Sequence, residues 1–156
     1  MTEQDAGDEA RTIVISRLYG APRDLVFRAW TDPVHLERWW GPSGFSTKTS
    51  EFSMRAGGCW RHLMRGPDGT EYPNLSTYEE IVPSERIVYS LGTGLEGEAP
   101  IAHVTVTFEM QGGKTLLTMR LLFPTADARD HAVRTVGAIE GGNQTLARLA
   151  EYVRQS

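Results

Sequence analysis

The stretch ADARDHAVRTVGAIEGGNQTLARLAEY, residues 126–152, decides how this chain is read. Ala132, Val136, Ile139, Leu146 and Leu149, continued by Val153, recur at three-to-four-residue spacing, while Arg129, Asp130, Arg134, Arg148, Glu151 and Arg154 occupy the other face. That is the pattern of a long amphipathic helix with one side on a core. Gly141 and Gly142 fall inside it, where each costs about 1 kcal/mol relative to alanine. A packing or cavity reason would retain them in one continuous helix, which is the expectation; a break into two shorter helices is the alternative.

Upstream the periodicity changes. Arg11 to Tyr19 is rich in β-branched residues, with apolar Ile13, Ile15 and Leu18 at alternating or near-alternating positions, a first strand ended by Gly20. Pro22 suits the start of a helix carrying Leu25, Val26, Ala29 and Trp30 on one face, and Asp32-Pro33 opens a second short helix through Leu36 and Trp39 that Gly41-Pro42 stops. From Phe45 to Phe123, β-rich runs alternate with turn signals: Ala56-Gly57-Gly58, Gly66-Pro67-Asp68-Gly69, Pro83-Ser84-Glu85, the glycine-bearing loop 92–100, and Gln111-Gly112-Gly113. Strands joined by such short turns form an antiparallel meander. The order β–α–α–meander–α has no crossover helices, so the fold class is α+β: a curved antiparallel sheet of about six to seven strands wrapped around the C-terminal helix. An apolar pocket between sheet and helix is expected.

The chain has 156 residues, 40% of them hydrophobic and 23% charged, enough for one core that buries roughly 70% of the unfolded surface. Residues 1–10 read as a disordered acidic tail and 11–155 as a single domain. The net charge of −4 comes without a Lys/Arg cluster, which argues against nucleic acid or an anionic membrane as partner. Cys59 is the single cysteine, so there is no internal disulfide framework and no cysteine-built zinc cage. With no apolar run of 18 residues and no basic-then-apolar leader, a cytoplasmic protein is expected.

Several strings resemble one family. They are Leu36-Glu37-Arg38-Trp39-Trp40-Gly41-Pro42, Arg55-Ala56-Gly57-Gly58-Cys59-Trp60, Met64-Arg65-Gly66-Pro67-Asp68-Gly69, the run from Tyr78 to Tyr89, and Glu140 to Tyr152. They look like the bacterial homologues of the C-terminal domain of the activator of the heat-shock protein 90 ATPase, within the START-like, or SRPBCC, superfamily. The likeness extends over about residues 11–155. It implies a helix-grip fold with a cavity under the long helix, and self-association into dimers in many relatives. It does not carry chaperone activation, because the chaperone-contacting N-terminal domain of the eukaryotic activator has no counterpart in these residues. Many relatives have a tryptophan where this chain has Gly142, a loss expected to enlarge the pocket near the helix.

The candidate ligand-binding residues are Trp40, Trp60, His62, Met64, Tyr78, Tyr89, Met119 and Gly142. Neighbouring helical residues diverge by about 100°, so only one of Trp39 and Trp40 points fully inward; the other is a lid or a second core anchor. Strand alternation puts Trp60, His62 and Met64 on one face, opposite Cys59, Arg61, Leu63 and Arg65. His62 is then either a ligand contact or acid/base group, or a histidine satisfied within the sheet. Alternation also sets Tyr78 with Glu80, and Ile87 with Tyr89 and Leu91. Glu80 beside His62 would make an acid/base pair, whereas ion pairs of Glu79, Glu85 or Arg86 would be surface features worth little.

No metal is expected, the four histidines being scattered without an HExxH spacing, and no cofactor, since no phosphate loop, dinucleotide fingerprint or GxSxG elbow occurs. Cys59 has no recognisable activating partner. Three readings follow in order: non-catalytic binding of a small hydrophobic or aromatic molecule, a protein-interaction or chaperone-accessory module in stress response with a homodimer as one form, and a cyclase-, dehydratase- or hydrolase-type enzyme using His62.

Overall fold

The computed structural model describes residues 8–155. Of the expected tail, residues 1–7 lie outside the described residues; residues 8–10 are helical, and Asp8 is ion-paired with Arg11.

The elements run β1 (Thr12–Tyr19), α1 (Arg23–Thr31), α2 (Pro33–Trp39), β2 (Ser46–Phe52), β3 (Cys59–Arg65), β4 (Glu71–Val82), β5 (Arg86–Gly92), β6 (Ala102–Gln111), β7 (Lys114–Leu122), α3 (Ala126–His131), a π-helical turn (Ala132–Val136) and α4 (Ala138–Arg154). The seven strands form one antiparallel sheet in the order β1-β7-β6-β5-β4-β3-β2. It is a meander from β2 to β7 that closes back on β1. The α1–α2 pair therefore carries the chain from one edge strand to the other.

Local chemistry explains the boundaries. Asp32 caps α2, its Oδ1 accepting from Val34 N at 2.9 Å with Pro33 at the first helical position, where the missing N–H costs nothing. In the β2–β3 turn a Cβ on Gly58 would stand 2.2 Å from the Ser53 carbonyl oxygen, so only glycine fits. The β6–β7 hairpin turns through Gly112 at φ 66°, between the paired Gln111 and Lys114, as a two-residue turn requires.

The inner face carries Ile13 and Ile15, Trp60 and His62, Ser76 and Tyr78, Ile87 and Tyr89, Val104, Val106 and Phe108, and Leu117 and Met119, all buried. Val26, Ala29 and Trp30 of α1, Leu36 and Trp39 of α2, and Leu146, Leu149 and Val153 of α4 meet them. The concave face is thus shared by three helices, where one long helix was expected. Tyr19 ties two layers together by donating its hydroxyl to the Leu146 carbonyl at 2.9 Å.

The C-terminal segment departs from the expected single helix. Gly141 and Gly142 do lie inside α4, but the axis breaks at Gly137, whose φ of 72° is left-handed, a conformation glycine adopts at no steric cost. Gly142 is a contact glycine: a Cβ there would lie 2.5 Å from Ile15 Cδ1. The space expected to open at Gly142 is instead filled by the β1 side chain.

Candidate functional site

Side chains of α1, α2 and the residue after α2 meet those of β3, β4 and β5 around one hollow. Trp39 is fully buried and donates its indole N–H to the Ala29 carbonyl at 3.0 Å. Trp40 follows it at the helix end, in extended conformation (ψ 140°), and is only half-buried. Its ring stands edge-to-face against Trp30 (5.4 Å between centroids), Trp60 (5.1 Å) and His62 (6.1 Å), the geometry that ring quadrupoles favour. Of the two neighbouring tryptophans, Trp39 is therefore the core anchor and Trp40 the partly accessible ring.

On β3, Trp60 donates its indole N–H to Thr49 Oγ1 at 3.0 Å. Its face supports His62, whose ring lies 3.7 Å away at 20°. His62 is 2% exposed, and neither ring nitrogen has a hydrogen-bond partner among the described residues. Burial pushes its pKa down from 6.5 to about 4, opposed in part by the Trp60 backbone, so the imidazole is neutral at pH 7. Opposite, Tyr78 and Tyr89 pair across β4 and β5 with centroids 6.1 Å apart, and burial raises both phenols well above their ordinary range.

Between these rings is a small chamber lined by Trp30, Leu36, Trp40, Trp60, Ser76, Tyr78, Ile87 and Tyr89, with a volume of about 10 Å³, room for about one water molecule. Two lining residues hold buried polar atoms with no partner among the described residues: Trp30 Nε1 and Ser76 Oγ. Each such orphan costs about 1–3 kcal/mol. The larger hollows, about 350 and 550 Å³, are open grooves on the outside.

The candidate residues divide. Trp40, Trp60, Tyr78 and Tyr89 come together around the chamber, and His62 backs it by stacking on Trp60. Met64 lies instead beneath the loop after α2, its Sδ 3.5 Å from where a Cβ of Gly41 would be. Met119 and Gly142 belong to another region: Met119 pairs with Ile15 and Val106, and β7 is four strands from β3 in the sheet order. No α4 residue lines the chamber, so it lies under α1–α2, not under the C-terminal helix as expected. Trp30 and Ser76 were not among the candidates, though both were accessible to pattern reading: Trp30 is on the apolar face of α1, and Ser76 shares the inner face of β4 with Tyr78 by alternation.

The proposed His62–Glu80 pair does not form. A bulge between Tyr78 and Glu80 adds a residue and turns Glu80 outward, where it is ion-paired with Arg86. Glu79 also faces out, accepting from Ser90 Oγ at 2.9 Å and lying 2.7 Å from His103 Nε2. Cys59 is half-buried, and burial followed by the Glu51 carboxylate raises its thiol pKa, which disfavours the reactive thiolate. Among the described residues no three His, Cys, Asp or Glu side chains gather as a metal site, and no helix is long and apolar enough to cross a membrane.

The segment bearing Trp40 is held from α4. Arg148 donates from Nη1 to the carbonyls of Trp40 (3.1 Å), Gly41 (2.9 Å) and Pro42 (3.1 Å), while Gln144 Oε1 accepts from Ser43 N at 3.2 Å. Burial lowers the Arg148 pKa from its ordinary value, the expected cost of taking a cation partly out of water to bind neutral oxygens.

Comparison with known proteins adds a lineage to this geometry. The family model described as "Activator of Hsp90 ATPase homolog 1-like protein" matches residues 20–154. No curated protein matches the chain. Among solved structures, a protein of Mycobacterium smegmatis is similar at 23% identity and a TM-score of 0.86, covering 95% of this chain and 94% of that one. One from Nitrosomonas europaea is similar at 23% and 0.85, covering 95% and 97%. One from Chromobacterium violaceum is 28% identical, with a TM-score of 0.77 and coverage of 92% and 96%.

Proposed function

The chain belongs to the activator of Hsp90 ATPase homolog 1-like family, and from that premise we propose that it binds a small hydrophobic or aromatic molecule under α1–α2, in the space that Trp40 vacates as it swings outward, the closed chamber of about 10 Å³ being only the inner end of that site. The observation that carries this reading is the pair of orphaned polar atoms, Trp30 Nε1 and Ser76 Oγ, in a wall otherwise made of aromatic and aliphatic carbon. A purely structural core gains nothing from polar groups it leaves unpaired, whereas ligand sites combine apolar walls with a few polar groups. Of the lining rings, Trp40 is the one left half-buried, beside Gly41 at φ 98°, which makes it the natural door.

The test is a thermal-shift and native-mass screen of aromatic compounds on the wild type and on Ser76→Val, which fills the chamber. A ligand at 100 times its Kd stabilises the wild type by about 2.7 kcal/mol and leaves Ser76→Val unshifted. A screen without any shift, or equal shifts in both proteins, contradicts the proposal.

One observation favours a second reading, an interaction module. The chamber is small, and an open groove of about 550 Å³ runs along Val133, Ile139 and Ala147 with exposed apolar Ile139 on its rim. A partner protected from exchange along that groove, with the chamber unaffected, would support it. Catalysis has the weaker case, because the carboxylate it needed beside His62 is on the outer face of the sheet, six residues along β4 from Asn74, the residue that His62 pairs with.

A further inference from the structure

We infer that the open edge of β1 docks a second copy of this chain, antiparallel about a two-fold axis through Ser16, so that Val14 of each copy lies against Leu18 of the other. In the sheet order β1 is far from β3 and β4, whose residues line the chamber, so this edge stands apart from the binding reading above.

The sheet has two edge strands, β1 and β2, and they are built differently. At β2 a bulge between Thr49 and Glu51 breaks the register, Lys48 and Glu51 are exposed, and Thr49 N already donates to Glu37 Oε1 at 2.7 Å. Bulges, charged side chains and covered backbone keep an edge from taking up another strand. β1 pairs with β7 over all eight of its residues without a shift. Its outer face carries no charge and presents Val14 at 51% exposure, Ser16, and Leu18 at 47%.

The backbone fixes which residues can pair. Phe123 N donates to the Arg11 carbonyl at 2.9 Å. By alternation, odd-numbered residues of β1 turn their N–H and C=O groups towards β7, while Val14, Ser16 and Leu18 turn theirs to the open edge. Val14 and Leu18 are symmetric about Ser16. A two-fold axis there sets Val14 against Leu18 twice and Ser16 against its own copy, with about six ladder hydrogen bonds. The next register would set Val14 against Ser16 and Leu18 against Thr12, wasting both apolar contacts. Such self-complementarity is what an isologous contact requires, and it favours a second copy over a strand of another protein. Arg17 is exposed on the other face, where the two guanidinium groups stand diagonally across the axis, about 7–8 Å apart at their bases. Salt screens that repulsion, so association should tighten as ionic strength rises.

The experiment is sedimentation of the full chain from about 1 μM to about 1 mM, with amide exchange read at both ends of that range. The wild type should dimerise, more tightly in higher salt, and slow its exchange at Val14, Ser16 and Leu18 as it does so. Val14→Glu and Leu18→Lys, both at exposed positions, should each weaken self-association about tenfold or more. Mixed in equal amounts, the two variants should form a heterodimer about threefold or more tighter than either self-pair, because the new carboxylate then meets the new ammonium. A wild type that stays monomeric up to about 1 mM, even one that takes up a foreign strand, overturns the inference. So does a dimer that salt loosens, a pair of variants that associate as the wild type does, or a mixture no tighter than its parts.

Discussion

The imidazole of His62 lies flat on the indole of Trp60, ring centroids 3.7 Å apart and planes 20° apart, with neither imidazole nitrogen partnered among the described residues. A neutral ring gains from that stack, and a protonated one would be an unpaired buried cation. The charged groups approaching this corner, Glu37 of α2 and Arg148 of α4, are both engaged by backbone atoms. The inner wall is therefore built for the uncharged state.

That arrangement sets a pH dependence. The unfolded chain takes up the His62 proton at an ordinary pKa of 6.5, and the native chain only at about 4. Stability is complete above pH 6.5, falls as the pH drops from 6.5 towards 4, and loses nothing further below that, a change of about 3 kcal/mol. Urea titrations from pH 7.5 to 3.5 should show this loss in the wild type beyond that of His62→Phe, which keeps a ring and cannot protonate. Parallel curves for the two proteins would contradict it.

Arg148 should act on the segment carrying Trp40. Arg148→Met removes a donor from three carbonyls, of which Trp40 O keeps Thr47 Oγ1 and Pro42 O keeps Phe45 N, and should cost about 2 kcal/mol. It should also speed amide exchange in residues 40–45 and red-shift tryptophan emission as Trp40 gains water. A variant with the stability cost but unchanged exchange in 40–45 would show that Arg148 does not hold the door.

The two helical glycines should part company. A Cβ on Gly141 would meet only Pro42 Cγ, at an ordinary 3.6 Å, so Gly141→Ala should stabilise by about 1 kcal/mol. At Gly142 the same Cβ would meet Ile15 Cδ1 at 2.5 Å, and Gly142→Ala should yield less than Gly141→Ala unless Ile15→Val removes the clash. Chemical denaturation of the three variants settles the order; equal effects at 141 and 142 would refute the contact role.

Ser76→Val should not unfold the protein. It removes an orphaned hydroxyl and adds carbon to a chamber of about 10 Å³, so the melting temperature should hold or rise slightly. A fall of several degrees would mean that the hydroxyl is satisfied in solution and that the wall is ordinary core.

Much of the fold was legible because strand alternation is a strict period of two: Trp60 and His62 could be assigned inward together against Arg61 outward, and the hairpin glycines marked the turns. Alternation failed at Glu80, where a one-residue bulge after Tyr78 rotates the side chain through the sheet. The C-terminal segment was expected to be continuous, and its break escaped for a related reason. Gly137 and Gly141 look alike as letters, but only Gly137 takes the left-handed conformation. The space expected under α4 is closed by the fit of Gly142 on Ile15, a contact between residues at opposite ends of the chain. Ser76 was readable as inward-facing, yet a small polar residue gives no sign that it will lack a partner.

The central claim is tested most directly by the indole N–H signals of the four tryptophans during a titration with 2-naphthol. Trp39, which donates to Ala29 O and does not line the chamber, serves as the reference. The account predicts that the Trp30 signal moves downfield as its orphaned donor finds the ligand oxygen, and that Trp40 shifts with it as the door opens. Saturable binding that leaves the Trp30 and Trp40 signals where they were would place the ligand elsewhere and contradict the account.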